Sequence, residues 1–324
     1  MAKSKRETGM ALLRKRIRAA NVPPPRPGNL RIATWNVREL GKGARLEESL
    51  KMIAGIIGTF DVVSIVELRD DLRDFMRILR LLGSRWSAVF SDYVRDAGGN
   101  RERVAFAFNR ERVTFTGLAS NAEGPRRRVG ERYVREIPWW RPPFLASFRA
   151  GRFDFILLAA HVRWGPTMAG REGEIAALAN WVLARTKEAY FGERDILVVG
   201  DFNAGGASLV ASKALSARGF AAPPGLEGDV GSDLARGKRY DRFLCLPAQT
   251  MCFSGRAGVL DFYCGDHRGL FPGRVMSKQK FACQISDHLP LWAEARTRDP
   301  SEALDSLASG GTAATSRALD RARG

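Results

Sequence analysis

Short apolar runs with the length of buried strands alternate with amphipathic helical patterns along most of this chain. Runs at residues 30–37 and 61–66 are separated by a helical pattern at 46–57, and another helical pattern follows at 70–82. This alternation indicates an α/β protein in which helices cover the outer faces of two sheets. Further strands are predicted at residues 86–91, 103–109, 113–118, 144–150, 153–161, 195–202, 240–246 and 288–295, with a long helix at 169–190.

The two ends of the chain differ from this pattern. Residues 1–29 are basic and Pro-rich, and we expect them to form a disordered arm. Residues 10–18 have the pattern of a short basic amphipathic helix, and a nucleic-acid-binding arm and an organelle-targeting peptide are the alternatives. Residues 299–324 are rich in Ala, Ser and Gly and are predicted to be a disordered tail. One folded domain is therefore expected over residues 30–298.

The charge of the chain favours an anionic partner. Its 52 Lys and Arg residues against 35 Asp and Glu residues give a formal net charge of +17. Nucleic acid is the first partner that such a chain suggests, anionic lipid is the second, and solubility alone is the third explanation. Arginines interleave with Trp139 and Trp140 in the polar segment 121–143, a pattern that suits nucleic acid or, alternatively, a solvated loop.

Cysteine spacing and hydropathy bear on three properties: zinc binding, membrane insertion and cellular location. The four cysteines include no CxxC pair, so a zinc site is not expected. No run of 18 apolar residues is present, which argues against membrane insertion. The first residues do not resemble a signal peptide, and we expect a cytoplasmic protein with free thiols.

Polar and ionisable residues stand at the ends of five predicted strands: Asn36, Glu67, His161, Asp201 and His288. Such groups are costly at the ends of apolar runs unless they are paired or bind a ligand. Five of them suggest one shared site at an edge of the sheets. Carboxylates and an amide oxygen suit a hard cation such as Mg²⁺, and histidines transfer protons near neutral pH. The combination predicts metal-assisted hydrolysis of phosphate esters.

The motifs around these residues resemble the endonuclease/exonuclease/phosphatase superfamily over about residues 30–296, and most closely its deoxyribonuclease I-like nucleases. The resemblance implies a four-layer α/β/β/α sandwich. It rests on the ordered set Trp35-Asn36, Glu67, His161, Gly200-Asp201-Phe202-Asn203 and Ser286-Asp287-His288.

The resemblance also implies roles for individual residues. Glu67 and Asn36, helped by Asp287, would hold Mg²⁺ or Mn²⁺. His288, oriented by Asp241, would act as general base, and His161, oriented by Glu102, as general acid. The division of these two tasks between the histidines stays open. The remaining roles are the positioning of water and phosphate by Asp201 and Asn203, and contacts to DNA by Arg38, Arg69 and Arg141.

The implied function is a metal-dependent DNA endonuclease that leaves 5′-phosphate and 3′-hydroxyl ends. A phosphoesterase acting on a phospholipid or an inositol phosphate, of the sphingomyelinase or inositol polyphosphate phosphatase type, is the first alternative. An inactive nucleic-acid-binding protein is the second. A fold does not fix a substrate, so the three hypotheses are separated only by the site itself.

Overall fold

The computed structural model describes residues 8–93, 100–136, 139–164, 168–188, 195–204, 209–228, 230–248 and 252–297. Its helices are α1 Gly9–Ala19, α2 Glu47–Ile57, α3 Arg73–Leu82, α4 Met168–Arg185, α5 Leu209–Ser216 and α6 Lys278–Gln284. Its strands are β1 Asn29–Leu40, β2 Val62–Leu68, β3 Trp86–Phe90, β4 Arg103–Asn109, β5 Thr114–Asn121, β6 Arg126–Val129, β7 Arg132–Arg135, β8 Phe144–Ala150, β9 Phe153–His161, β10 Ile196–Asp201, β11 Asp241–Leu244, β12 Phe253–Val259 and β13 Leu291–Arg296.

Two large sheets are packed face to face. The six-stranded sheet has the order β12-β13-β1-β2-β4-β3, and the five-stranded sheet has the order β11-β10-β9-β8-β5. Their inner faces share one buried cluster, to which Ile32 and Phe106 contribute from the first sheet and Phe148 and Leu157 from the second. Because side chains alternate along a strand, the neighbouring residues face outwards, where helices cover them.

Each outer face has its own helical cover. The outer side of the six-stranded sheet, including Trp35 and Ile65, packs in one cluster with residues of α2 and α3. The outer side of the five-stranded sheet, including Ile156 and Leu158, packs against α4. The layers follow the order helix, sheet, sheet, helix, which confirms the predicted four-layer sandwich.

The basic arm is ordered where the structure describes it, contrary to the disorder expected from its composition. Thr8 caps α1 by accepting a hydrogen bond from the backbone N–H of Ala11 at 3.2 Å. Leu13 is buried in the cluster of the first sheet. The Arg16 guanidinium donates to the backbone oxygens of Phe262, Tyr263 and Asp266 at 3.1, 2.8 and 2.7 Å. Tertiary contacts of this kind stabilise a short helix that its own sequence would not.

Several elements were not predicted. The hairpin of β6 and β7 lies within the segment interpreted as a loop, and β12, α5 and α6 fall between the predicted elements. None of them shows a long apolar pattern. The predicted tail at residues 299–324 lies outside the described residues. No helix in the described part of the chain is long and apolar enough to cross a bilayer.

Replacing Arg16 by Ala should lower the free energy of unfolding by about 2–3 kcal/mol, because buried carbonyls lose their donors. Urea unfolding monitored by tryptophan fluorescence measures the loss. Arg14→Ala is the matched control, since Arg14 is exposed on the same helix and its loss should cost under about 0.5 kcal/mol. Equal effects of the two substitutions would show that α1 is not held through Arg16.

Candidate active site

The carboxyl ends of the parallel strands of both sheets meet at one edge of the sandwich. Asn36 and Glu67 come from the adjacent parallel strands β1 and β2. His161 and Asp201 are paired in register at the ends of β9 and β10. The structure therefore brings together the strand-end residues that the sequence singled out, and His288 joins them from the segment before β13.

Asn36 connects the two sheets. Its buried side-chain amide donates to Oε1 of Glu67 at 2.7 Å and to Oδ2 of Asp201 at 3.0 Å. Its own oxygen accepts from the backbone N–H of Arg38 at 2.9 Å. The other carboxylate oxygen of Glu67 accepts from the backbone N–H of Glu39 at 2.9 Å. Asn36 is thus a donor to both carboxylates, and it would have to turn its amide to offer its oxygen to a cation.

Unusual backbone conformations aim these side chains into the site. Glu67 has a φ of 61°, in the left-handed region. The register of β2 and β4 shifts between Ile65 and Leu68. This bulge changes the direction of the Glu67 side chain. Gly200 has a φ of 120°, and a Cβ there would lie 2.1 Å from the backbone oxygen of Ala160. Glycine at this position lets β10 approach β9 closely and places Asp201 beside the end of β9.

His288 forms one imidazole–carboxylate pair. Its Nδ1 lies 2.7 Å from Oδ2 of Asp241, which is buried at the start of β11. Its Nε2 lies 3.8 Å from Oδ2 of Asp201. Burial alone would lower the pKa of His288, but the charges of Asp241 and then Asp201 outweigh burial and raise that pKa well above its ordinary value.

The backbone around His288 is fixed by hydrogen bonds. Its N–H donates to Oγ of Ser286 at 2.9 Å, and that hydroxyl donates to the backbone oxygen of Asn36 at 2.6 Å. The indole of Trp35 donates to the backbone oxygen of His288 at 2.9 Å. The segment carrying the histidine is thereby tied to β1, the strand that carries Asn36.

His161 forms the second imidazole–carboxylate pair. Its Nδ1 lies 2.8 Å from Oε2 of Glu102, and its Nε2 lies 3.9 Å from Glu67 and 4.0 Å from Asp201. Burial opposes protonation, but the neighbouring carboxylate of Glu102 outweighs it and raises the pKa of His161. Burial likewise opposes ionisation of Glu102, and His161 followed by Arg141 outweighs it, so the pKa of Glu102 is lowered.

The three arginines expected to contact DNA occupy different positions. Arg141 binds Glu102 through Nε at 3.0 Å and Nη2 at 3.2 Å and lines the cleft. Arg38 also lines the cleft and pairs with Asp287. Arg69 is only 9% exposed, and its nearest carboxylates are Glu39 and Glu102 at 3.6 and 3.8 Å. Arg69 is therefore a buried residue behind the cleft lining, whereas Arg38 and Arg141 line the cleft itself.

Two groups of side chains converge closely enough to hold a cation. Their members are Glu67, His161 and Asp201 in one group and Asp201, Asp241 and His288 in the other, with ligand atoms within 4.8 Å of one another. Asp201 is common to both. Carboxylate oxygens are the ligands that Mg²⁺ and Mn²⁺ prefer, so Glu67 and Asp201 fit such an ion. Asp287 belongs to neither group, and its carboxylate contacts Arg38. Asn203 donates from its side chain to the backbone oxygen of Val162 at 2.8 Å.

Both histidines line a cleft of about 670 Å³. Five of its lining residues were not among the predicted site residues: Glu39, Asn100, Trp140, Arg163 and Trp164. The Arg163 guanidinium lies 3.6 Å from the Trp140 ring centroid, and Trp164 is 63% exposed. The carboxylate of Glu174 accepts hydrogen bonds from the backbone N–H groups of Arg163 and Trp140. The position of Arg163 and Trp164 just after His161 is the sequence signal that could have included them.

Arg45 was also missed, and it supports the site without facing it. Its buried guanidinium donates to four backbone carbonyls, those of Val37, Arg38, Gln284 and Ile285, at 2.5–2.9 Å. Burial is the main cause that lowers the pKa of Arg45 to about 10. These bonds join the end of β1 to the segment that leads to His288. Nothing in the local sequence distinguishes Arg45 from a surface arginine.

The fold of this chain is similar to that of several solved structures. A Bacteroides thetaiotaomicron endonuclease/exonuclease/phosphatase family protein superposes with a TM-score of 0.54 and 16% identity, covering 83% of this chain and 98% of that one. A humanized D. rerio TDP2 gives 0.53 and 16%, with 82% and 98% covered. A mannosyl-6-phosphatase from B. thetaiotaomicron gives 0.53 and 15%, with 82% and 98% covered. No curated protein matches the chain.

The sequence itself decides the family. The model of the Endonuclease/Exonuclease/phosphatase family matches residues 33–288, which include every residue of the site described above. The chain belongs to the endonuclease/exonuclease/phosphatase family, whose enzymes hydrolyse phosphate esters.

Proposed function

We propose that this protein is a metal-dependent phosphodiesterase that cuts DNA internally and leaves 5′-phosphate and 3′-hydroxyl ends. The observation that carries the proposal is the pair of histidines, each held by its own carboxylate, on either side of Asp201 in one open cleft. Hydrolysis of a phosphodiester needs one group to accept a proton from water and another to give one to the leaving oxygen. Two imidazoles facing one carboxylate meet that need.

Members of this family depend on a divalent metal, and Glu67, Asp201 and Asn36 would hold Mg²⁺ or Mn²⁺ here. Asp287 is worse placed for this task because its carboxylate contacts Arg38. A bound divalent cation would neutralise charge on the phosphate oxygens and on the leaving oxygen. The same carboxylates, without an ion, hold the two imidazoles in place by attraction.

The two histidines divide the proton transfers. We assign His288, held by Asp241, to accept the proton of the attacking water as its oxygen bonds to phosphorus. His161, held by Glu102, gives a proton to the 3′ oxygen as the phosphorus–oxygen bond breaks. Asp241 and Glu102 bind the Nδ1 atoms, which leaves each Nε2 directed towards Asp201 and the reacting groups. Asp201 and Asn203 position water and phosphate.

The lining of the cleft favours a nucleic acid over a small phosphate ester. Arg38, Arg141 and Arg163 line the cleft and offer guanidinium donors to phosphate groups, and Trp164 is exposed for contact with a base or sugar. The similarity to a mannosyl-6-phosphatase shows that this fold also occurs in a phosphatase of small substrates. Substrate class is therefore the property that an experiment must decide.

His161→Ala and His288→Ala should each reduce nicking of supercoiled plasmid at least about 10²-fold while duplex affinity changes little, because each removes a proton transfer. Rates are measured by gel with Mg²⁺, and EDTA should abolish them. His267→Ala is the matched control, since its ring contacts Tyr263 and Met276 outside the cleft. Plasmid nicking that survives either substitution would contradict the roles. Activity on inositol phosphates or phospholipids without plasmid cleavage would favour the lipid phosphoesterase.

Glu67→Gln should weaken Mn²⁺ binding at least about tenfold, since it removes a carboxylate from the candidate metal site. Isothermal titration calorimetry with Mn²⁺ and no substrate measures this directly. Glu39→Gln provides the control, because Glu39 lines the same cleft but belongs to neither ligand group. A similar loss in both variants would mean that the effect is general charge removal.

In the metal-free protein, the His288 ring should titrate above its ordinary pKa of about 6.5. A raised pKa in the folded state means that the pair's contribution to stability is complete below about pH 6.5. That contribution is lost as pH rises through the raised value. NMR of the histidine rings in EDTA measures the midpoint, which Asp241→Asn should lower. An unchanged midpoint in Asp241→Asn would exclude this carboxylate as the cause.

A further inference from the structure

A two-stranded ribbon of β6 and β7 carries an unusual density of arginine. Residues 126–135, called the arginine ribbon below, contain five arginines and one acidic residue, Glu131. All eight strand residues are exposed. The ribbon contributes no residue to the buried clusters of the fold. Its composition therefore calls for an explanation other than core packing.

The register of the ribbon sorts its side chains onto two faces. Arg126 is opposite Arg135, and Arg128 is opposite Tyr133, so these four share one face. The pairs Arg127 with Val134 and Val129 with Arg132 lie on the other. We call the first the Arg/Tyr face and the second the Arg/Val face. Three arginines and a 70% exposed tyrosine thus lie together on the Arg/Tyr face.

This arrangement costs stability unless an anion is present. Arg126 and Arg135 are a directly opposed pair of like charges, which destabilises a two-stranded sheet. Within the described part of the chain, the ion pair on this face is that of Arg135 with Glu123 at 3.4 Å. Phosphate groups would remove the repulsion, and arginine binds them through several donors at once.

The base of the ribbon is held by one backbone hydrogen bond of its own and by one hydrogen bond from α4. Glu136 donates its backbone N–H to the oxygen of Pro125 at 2.9 Å, which closes the ribbon. The indole of Trp181 on α4 donates to the backbone oxygen of Glu123 at 2.9 Å. Arg141 of the cleft follows Arg135 by six residues, a span of roughly 20 Å at most. A substrate in the cleft that extends by a few nucleotides therefore comes within reach of the ribbon.

We propose that the Arg/Tyr face of the arginine ribbon binds the sugar–phosphate backbone of double-stranded DNA next to the bond that the cleft cuts. This inference rests on the proposed function. Arg126 and Arg128 are separated by about 6.8 Å along the strand, and the phosphates of one DNA strand recur every ~3.4 Å along the helix axis, so the two arginines can reach neighbouring phosphates. Tyr133 lies opposite Arg128 and packs against the sugar.

The test compares two double substitutions that remove equal charge from the same ribbon. Arg126→Gln with Arg128→Gln alters the Arg/Tyr face, and Arg127→Gln with Arg132→Gln alters the Arg/Val face. Each is made in the full chain carrying His288→Ala, and binding to a fluorescent 30-base-pair duplex is followed by anisotropy over a salt series. Thermal unfolding of each variant confirms that it is folded.

The Arg/Tyr variant should bind at least about tenfold more weakly, and its slope of log affinity against log salt should fall by about 2. The Arg/Val variant should lose less than about threefold. Equal losses, or no loss, would overturn the assignment of the face while plasmid nicking by the unmodified protein still supports the proposed function. If that protein neither nicks plasmid nor binds the duplex, both proposals fail. Loss of binding to phosphatidylserine vesicles, with duplex affinity unchanged, would overturn the ribbon proposal in favour of a membrane.

Discussion

The side-chain amide of Asn36 holds together two carboxylates that belong to different sheets, and the geometry of the site depends on it. The ligand oxygens of Glu67 and Asp201 come within 4.8 Å of each other, where like charges repel. Two amide hydrogen bonds offset that repulsion. Because Asn36 is in the first sheet and Asp201 is in the second, the hydrogen bond between them also links the edges of the two sheets. Asn36 therefore both orders the candidate metal ligands and connects the two sheets.

The negative charge of these carboxylates also acts on the two histidines of the site. Burial by itself would keep both rings neutral, yet carboxylates on both sides of each ring raise both pKa values. Metal ligands must be deprotonated, and a divalent cation on Asp201 would repel the imidazolium form of either neighbour. The raised pKa values therefore describe the protein without its ion. Without an ion, the carboxylates favour the protonated form of both imidazoles.

The sequence predicted those parts of the molecule that are encoded locally. Strands β4, β8 and β9 were predicted at the residues where they occur, because each is a compact apolar run bounded by turn residues. The gathering of the strand-end residues was predictable because parallel strands place their carboxyl ends at one edge. The burial of Arg69 and the bonds of Arg45 depend on distant segments. Likewise, α1 is ordered by contacts with residues about 250 positions away, which no local pattern contains.

The distribution of arginine explains why net charge alone describes this protein poorly. Arg16, Arg31 and Arg45 are buried and use their donors on backbone oxygens or on Asp61, so their charge is of little use to a partner. A polyanion meets only those basic side chains that are exposed. The arginine ribbon contains five arginines within ten residues, and its strand residues are all exposed. A ribbon with no core to pack has few other constraints on its sequence. Its opposed arginines are thus better explained by an external anion than by the needs of the fold.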